Sequence, residues 1–314
     1  MSPNGITLSR IFFESSLPLL REHIPDVMNR SAAGLVGEGS ECLGLDDDIS
    51  RDHDWGPAFC LWIPDDVFRS ELDRIERAMA ALPPTFQGYP TRMAKDRRRG
   101  RTGPIPLRAF YRRFLGMDHV PSGWREWLAI PEYHLCSCTN GAVFLDEGGE
   151  FSEIRKTLLN YYPEDVRRKK IAARCMIMAQ AGQYNLPRCL QRGNTIAAML
   201  AAARFAEAAL SIAFLLSRRY MPFYKWAGRM AETLPVLGRE TTSTLKILAR
   251  TPWDSRGHGT EAAQAIEELC SLVAGELRAQ GLCDVQDNWL WEAGPLVQMG
   301  VKDPELRARN VMED

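Results

Sequence analysis

The spacing of apolar positions changes near residue 150: short apolar runs between turn residues give way to positions that recur every three to four residues over long stretches. From Leu8 to Met28, the residues Ile11, Phe12, Leu19, Leu20, Ile24 and Val27 predict one or two short helices, with Pro18 and Pro25 as points of division. Ser31 to Val36 predicts a small apolar strand, Gly37 to Ser40 a glycine turn, and Trp55 to Ile63 a second strand. Asp65 and Asp66 open a predicted helix to Ala81, whose Phe68, Leu72, Ile75, Ala78 and Met79 share one side; Pro83 and Pro84 stop it. His134 to Cys138 and Ala142 to Asp146 flank Thr139, Asn140 and Gly141, a pattern that predicts a β-hairpin closed by Asn-Gly.

Beyond Glu150 the predicted elements are helices: Phe151 to Asn160, Glu164 to Ala181, Arg192 to Arg218, Trp226 to Leu234 and Gly259 to Gln280. The fold class expected is α+β, a small-sheet domain over residues 1–155 followed by an all-α helical bundle over 156–314. No Pro/Gly/Ser-rich linker separates them, which argues for packed halves.

Composition narrows the class without naming a function. At 314 residues, 45% hydrophobic and 25% charged, the chain is globular and has room for two domains. Lys+Arg 39 against Asp+Glu 40 leaves a net charge of -1, so affinity for nucleic acid or an anionic membrane has to come from a local patch. One such patch is Arg92 to Gly103, with Arg92, Lys95, Arg97, Arg98, Arg99 and Arg101; it reads as an exposed, solvated loop, with RNA binding as the alternative. Eight cysteines without regular spacing read as reduced, mostly buried thiols, and no basic leader or uncharged run of about 20 apolar residues is evident. A cytoplasmic location is expected. Zinc is not, because His134, Cys136 and Cys138 lack a second ligand pair.

The chemistry concentrates between Gly37 and Pro57. Gly39 and Ser40 form a small-residue turn whose backbone N–H groups can approach a phosphate oxygen. After eleven intervening residues, Glu41 to Arg51, Asp52 and Asp54 stand two apart before an apolar strand; if that strand begins there, both carboxylates project from one face and suit a hard divalent cation, Mg²⁺ above all.

Gly39-Ser40 with Asp52-x-Asp54 resembles the signature of the DNA polymerase beta-like nucleotidyltransferase superfamily, which includes the aminoglycoside adenylyltransferases. Leu45-Asp46-Asp47, Ser50 to Pro57, Val143 to Asp146, Gly149 to Arg155, Tyr161 to Asp165, Gln183-Tyr184-Asn185, Arg188 to Arg192 and Tyr220 to Trp226 resemble, more closely, a bacterial family of nucleotidyltransferase-like proteins of unknown function. The resemblance covers roughly residues 10 to 235. It implies a small mixed sheet carrying metal and triphosphate, a helical bundle closing a cleft, and attack of a substrate nucleophile on the α-phosphate of a nucleoside triphosphate, by analogy ATP, with release of pyrophosphate. Asp52 and Asp54 would hold Mg²⁺, Gly39 and Ser40 the terminal phosphates. The acceptor would be a hydroxyl-bearing small molecule or a protein side chain.

Asp146 is the first choice for a third catalytic carboxylate and Glu132 the reserve; the competing role of Asp146 is to cap the helix after Gly148-Gly149. His53 is expected to be structural, and Arg51 to reach either a phosphate or a neighbouring aspartate. Arg188 and Lys225, with Tyr184, Arg192, Tyr224 and Trp226, are candidate triphosphate and base contacts, against a simple helix-packing role. Glu207, set among alanines, is expected in a buried ion pair. Two other functions remain open: an idle nucleotide sensor, and an RNA-directed transferase using the basic loop.

Overall fold

The structure, a computed structural model, describes residues 4–52, 55–253 and 259–314; of Asp52, Gly259 and Thr260 it describes the backbone alone. The chain is mixed α+β, a small sheet near the N-terminus followed by a largely helical region. Contacts divide it into two units, residues 1–121 with 134–160, and residues 122–133 with 161–314. The first unit is therefore discontinuous, a feature that a single linear boundary does not contain.

In the first unit, β1 (Ala32–Leu35), β2 (Cys60–Ile63), β5 (Gly103–Pro106) and β6 (Ala142–Asp146) form a mixed sheet in the order β5-β2-β1-β6. β1 is antiparallel to both β2 and β6, and β2 is parallel to β5. β3 (Thr85–Phe86) and β4 (Tyr89–Pro90) make a separate two-stranded ribbon. Cys60, Leu61, Trp62 and Ile63 are all buried, as expected of a strand covered on both faces. Leu61 and Ile63 join a core with Phe12, Phe13 and Phe59, supplied in part by the helices Gly5–His23 and Asp65–Ala80. Trp62 faces the other way and stacks on Phe151, with ring centroids 3.8 Å apart, beside Phe110 of Leu107–Leu115. Gly34 has no alternative residue: a Cβ there would come within 2.4 Å of the Ala142 carbonyl, where the β1–β6 register shifts.

Several expected elements are corrected. The first helix continues from Gly5 to His23 through Pro18, which is exposed, so the Glu14 carbonyl that it leaves unpaired can be hydrated. The second strand begins at Cys60 and not at Trp55, while Ile49–Asp52 is a 3₁₀ turn. The hairpin is absent: Glu132–Thr139 is a helix, and Asn-Gly terminates it with Gly141 at φ 59°.

In the second unit, Glu164–Met178 runs on through a π-helical stretch, Ala179–Asn185, into Leu186–Gln191. Gly182 sits where a Cβ would meet the Phe205 ring at 2.3 Å, which lets this stretch approach the long apolar helix Thr195–Leu216. That helix is apolar and long enough by composition to cross a membrane, yet 61% of its most apolar window is buried in the protein and it carries Arg204 and Glu207, the pattern of a core helix. Arg167, buried, donates from Nε to the Leu215 carbonyl and closes its C-terminus. Tyr224–Ala231, Gly238–Arg250, Gly259–Ala279 and Leu290–Met299 complete the unit.

Candidate functional site

Antiparallel pairing of β1 with β2 matches Gly34 to Cys60, so the chain leaves β1 toward Gly39 and Ser40 at the end where it enters β2. β6 brings a third strand end to this place, since Leu35 pairs with Ala142. The Asn140 side chain just before β6 pairs with both backbone groups of one residue: Oδ1 accepts from the Gly37 N–H at 3.0 Å and Nδ2 donates to the Gly37 carbonyl at 2.7 Å. Gly141 N–H donates to the Cys42 carbonyl at 2.9 Å. Asn140 and Gly141 thus clamp the Gly37–Cys42 turn at its two ends.

Within the clamp, Gly39 and Ser40 are half-buried and open the 3₁₀ turn Ser40–Leu43. The first N–H groups of such a turn have no partner inside it. Glu41 is buried; its carboxylate lies where a Cβ on Gly39 would collide at 2.4 Å, and Arg92 Nη2 neutralises it at 2.9 Å. Glu38, exposed beside Gly39, pairs with Arg101 (Nε to Oε2, 3.6 Å) and with Arg113. These two arginines stand at the turn with their side chains 46% and 39% exposed. Arg113 has no sequence signal of its own; it lies in an amphipathic helix, and only the β5 register brings that helix here.

The side chain of Asp52 and all of Asp54 and His53 lie outside the described residues. Strand periodicity no longer argues that Asp52 and Asp54 share a face, because β2 starts later. Arg51 forms an ion pair with Asp48 at 3.3 Å and lies over Trp55 at 4.8 Å, the protein-internal alternative of the two expected.

Asp146 is not brought to the turn. It pairs with Ala32, at the far end of β1, and its two oxygens accept from the N–H groups of Gly149 (2.8 Å) and Ser152 (2.7 Å), opening the helix Glu150–Leu159. This is the capping role, set by the two glycines that turn the chain back. Glu132 belongs to the helical unit, as do Arg188 and Lys225, which are exposed. Arg188 lies on the Tyr184 ring at 3.7 Å and Lys225 over Trp226 at 4.9 Å. Glu207 is exposed on the rim of a pocket and not buried.

The basic segment is also corrected. Arg92 and Arg98 are buried, paired with Glu41 and Glu76, both at 2.9 Å, and Arg98 lies in the short helix Lys95–Arg98. Lys95, Arg97, Arg99 and Arg101 stay exposed, a smaller patch than the composition indicates. All eight cysteines are free thiols; burial pushes Cys60 up to about 12, which removes it as a nucleophile. Among the described residues, no three His, Cys, Asp or Glu side chains converge as a metal site.

Residues 127–227 match the profile of a family described as a domain of unknown function, DUF4037. No curated protein and no solved structure matches the chain. The matched segment begins after the Gly39 to Asp54 motif and leaves the nucleotidyltransferase resemblance of that motif as a reading of its own.

Proposed function

We propose that the protein is a cytoplasmic Mg²⁺-dependent nucleotidyltransferase that passes AMP from ATP to a hydroxyl-bearing small molecule or protein side chain, releasing pyrophosphate. The observation that carries this reading is the meeting of the β1 exit and the β2 entry at one end of the sheet, with the Gly39-Ser40 turn held there by Asn140. Backbone N–H groups of the turn receive phosphate oxygens, while Arg101 and Arg113 exchange Glu38 for the triphosphate and neutralise it. Asp52 and Asp54 are the donor set for the cation, two carboxylates suited to a hard divalent ion, which when bound neutralises charge on the departing pyrophosphate. With Asp146 engaged as a cap, the general base is not assigned to it.

The test is calorimetric titration of ATP with Mg²⁺ into the wild type, Asp52→Asn and Asp54→Asn, with circular dichroism as the fold control. Each variant should lose binding by at least about tenfold, roughly 1.4 kcal/mol, and lose turnover. Undiminished binding and turnover in both variants would sink the reading. A thermal-shift series of the four nucleoside triphosphates with and without Mg²⁺ identifies the donor.

A further inference from the structure

The helical unit contains a pocket of about 720 Å³, within the range of small-molecule sites. Its walls come from Glu132 and Tyr133, from Arg174 to Ala181, from Arg204 to Ser211 and from Met221 to Tyr224. Gln180 and Ala181 in this wall belong to the π-helical stretch, an irregularity frequent at functional sites. All the lining residues except Met312 fall inside the family-matched segment.

Two independent features of this pocket point to one kind of ligand. Glu132 is only 9% exposed, and its Oε2 accepts from Ser211 Oγ at 3.3 Å while its buried Oε1 has no partner among the described residues. The nearby cations are paired with another acid: Arg174, which also lines the pocket, pairs with Asp314 at 2.7 Å and is linked to Glu132 through Ser211 Oγ, to which it donates at 2.9 Å, and Lys170 also turns to Asp314. Burial pushes the Glu132 acid up, opposed by the charges of Lys170 and Arg174 and by hydrogen bonds from the Met221 backbone and Ser211. The desolvated carboxylate thus keeps one oxygen, Oε1, without a hydrogen bond and has no direct ion pair among the described residues.

The second feature is aromatic. Tyr133 meets Phe223 edge-on at 5.7 Å, and Phe223 lies 4.4 Å from Tyr224. All three line the pocket and are 37%, 46% and 74% exposed, respectively, so a cluster of rings stands in contact with solvent around the buried acid. Ring faces attract cations and cover apolar groups. Arg204 and Glu207, of opposite charge, are both exposed on the rim.

We propose that this pocket binds a small protonated amine with an apolar body, the Glu132 carboxylate serving as counter-charge and Tyr133, Phe223 and Tyr224 enclosing the body. The inference stands on the helical unit alone and not on nucleotidyl transfer.

The full-length protein is titrated calorimetrically, without nucleotide, with phenethylamine, with the neutral 2-phenylethanol and with the anionic phenylacetate. Phenethylamine should bind at least about tenfold more tightly than the alcohol, and phenylacetate most weakly. Glu132→Gln, of equal size, should abolish the preference for amine over alcohol. Tyr224→Ala, at an exposed position that leaves folding intact, should weaken the amine by about two- to fivefold. Equal affinity for amine and alcohol in the wild type, or a preference retained in Glu132→Gln, overturns the proposal. Because no nucleotide is present, either result leaves the Mg²⁺ and triphosphate experiment to be judged separately.

Discussion

Asn140 commits its whole side-chain amide to the backbone of a single residue, Gly37, and the Gly37–Ser40 turn depends on that choice. Asn140→Ala removes both bonds and leaves the Gly37 N–H and carbonyl without them, a loss of about 1–2 kcal/mol. The denaturant midpoint should fall with an unchanged slope, and triphosphate binding should weaken with it; a variant as stable as wild type would show that the turn holds itself. Asn140 is also where sequence reading went astray. Gly at positive φ follows Asn both in a tight hairpin and after a helix end, so the dipeptide alone cannot separate them. His134 to Cys138 is too short a run for its period to decide. Gly39 and Ser40, in contrast, were legible as a turn, a small-residue pair where the Glu41 carboxylate fills the space that a Cβ on Gly39 would need.

At the level of elements, the buried Glu41–Arg92 pair ties the turn to the segment leading into β5. Removing one partner strands the other charge in the interior. Glu41→Gln or Arg92→Met alone should cost about 3–5 kcal/mol, and the double variant should recover much of that loss, as a denaturation cycle would measure. Additive losses would mean that the two groups act separately. The segment was expected to be solvated because charge composition reports only how much charge is present, not that Glu41 and Glu76 wait for it in the fold. Helices with clean periodicity, such as Asp65–Ala80 and Thr195–Leu216, were legible nearly to their ends. Gly238–Arg250 and Leu290–Met299 were not: the first is rich in threonine, which disfavours helix, and the second holds Pro295 inside it.

Over the whole molecule, the near-zero net charge conceals internal pairing more than a neutral surface. Lys169 shows the cost of burying charge: its Nζ donates to the carbonyls of Asn310 (2.7 Å) and Val311 (3.2 Å), and burial lowers it from 10.5 to about 8, with Asp314 opposing. Between these values the unfolded chain binds more protons than the folded one, so this group adds stability as pH rises from 8 toward 10.5. Melting temperatures of wild type and Lys169→Met should keep a constant difference below pH 8 and shift in favour of wild type above it. A difference independent of pH would place the lysine in solvent. The change from sheet to helices was readable from patterning, whereas the passage of residues 122–133 into the helical unit was not, since it is set by contacts such as Trp127 with Tyr162 at 5.6 Å, far apart in sequence.

The π-helical stretch has a consequence for how such a chain can vary. A π turn holds one residue more than an α ladder needs, so side chains after Asn185 are rotated by about 100° from the phase of an uninterrupted α-helix. A deletion of one residue is among the changes that a buried helix tolerates least. Between Ala179 and Asn185 it has somewhere to be absorbed: the backbone can close into ordinary α-helix, and the residues before and after it keep both their phase and their neighbours.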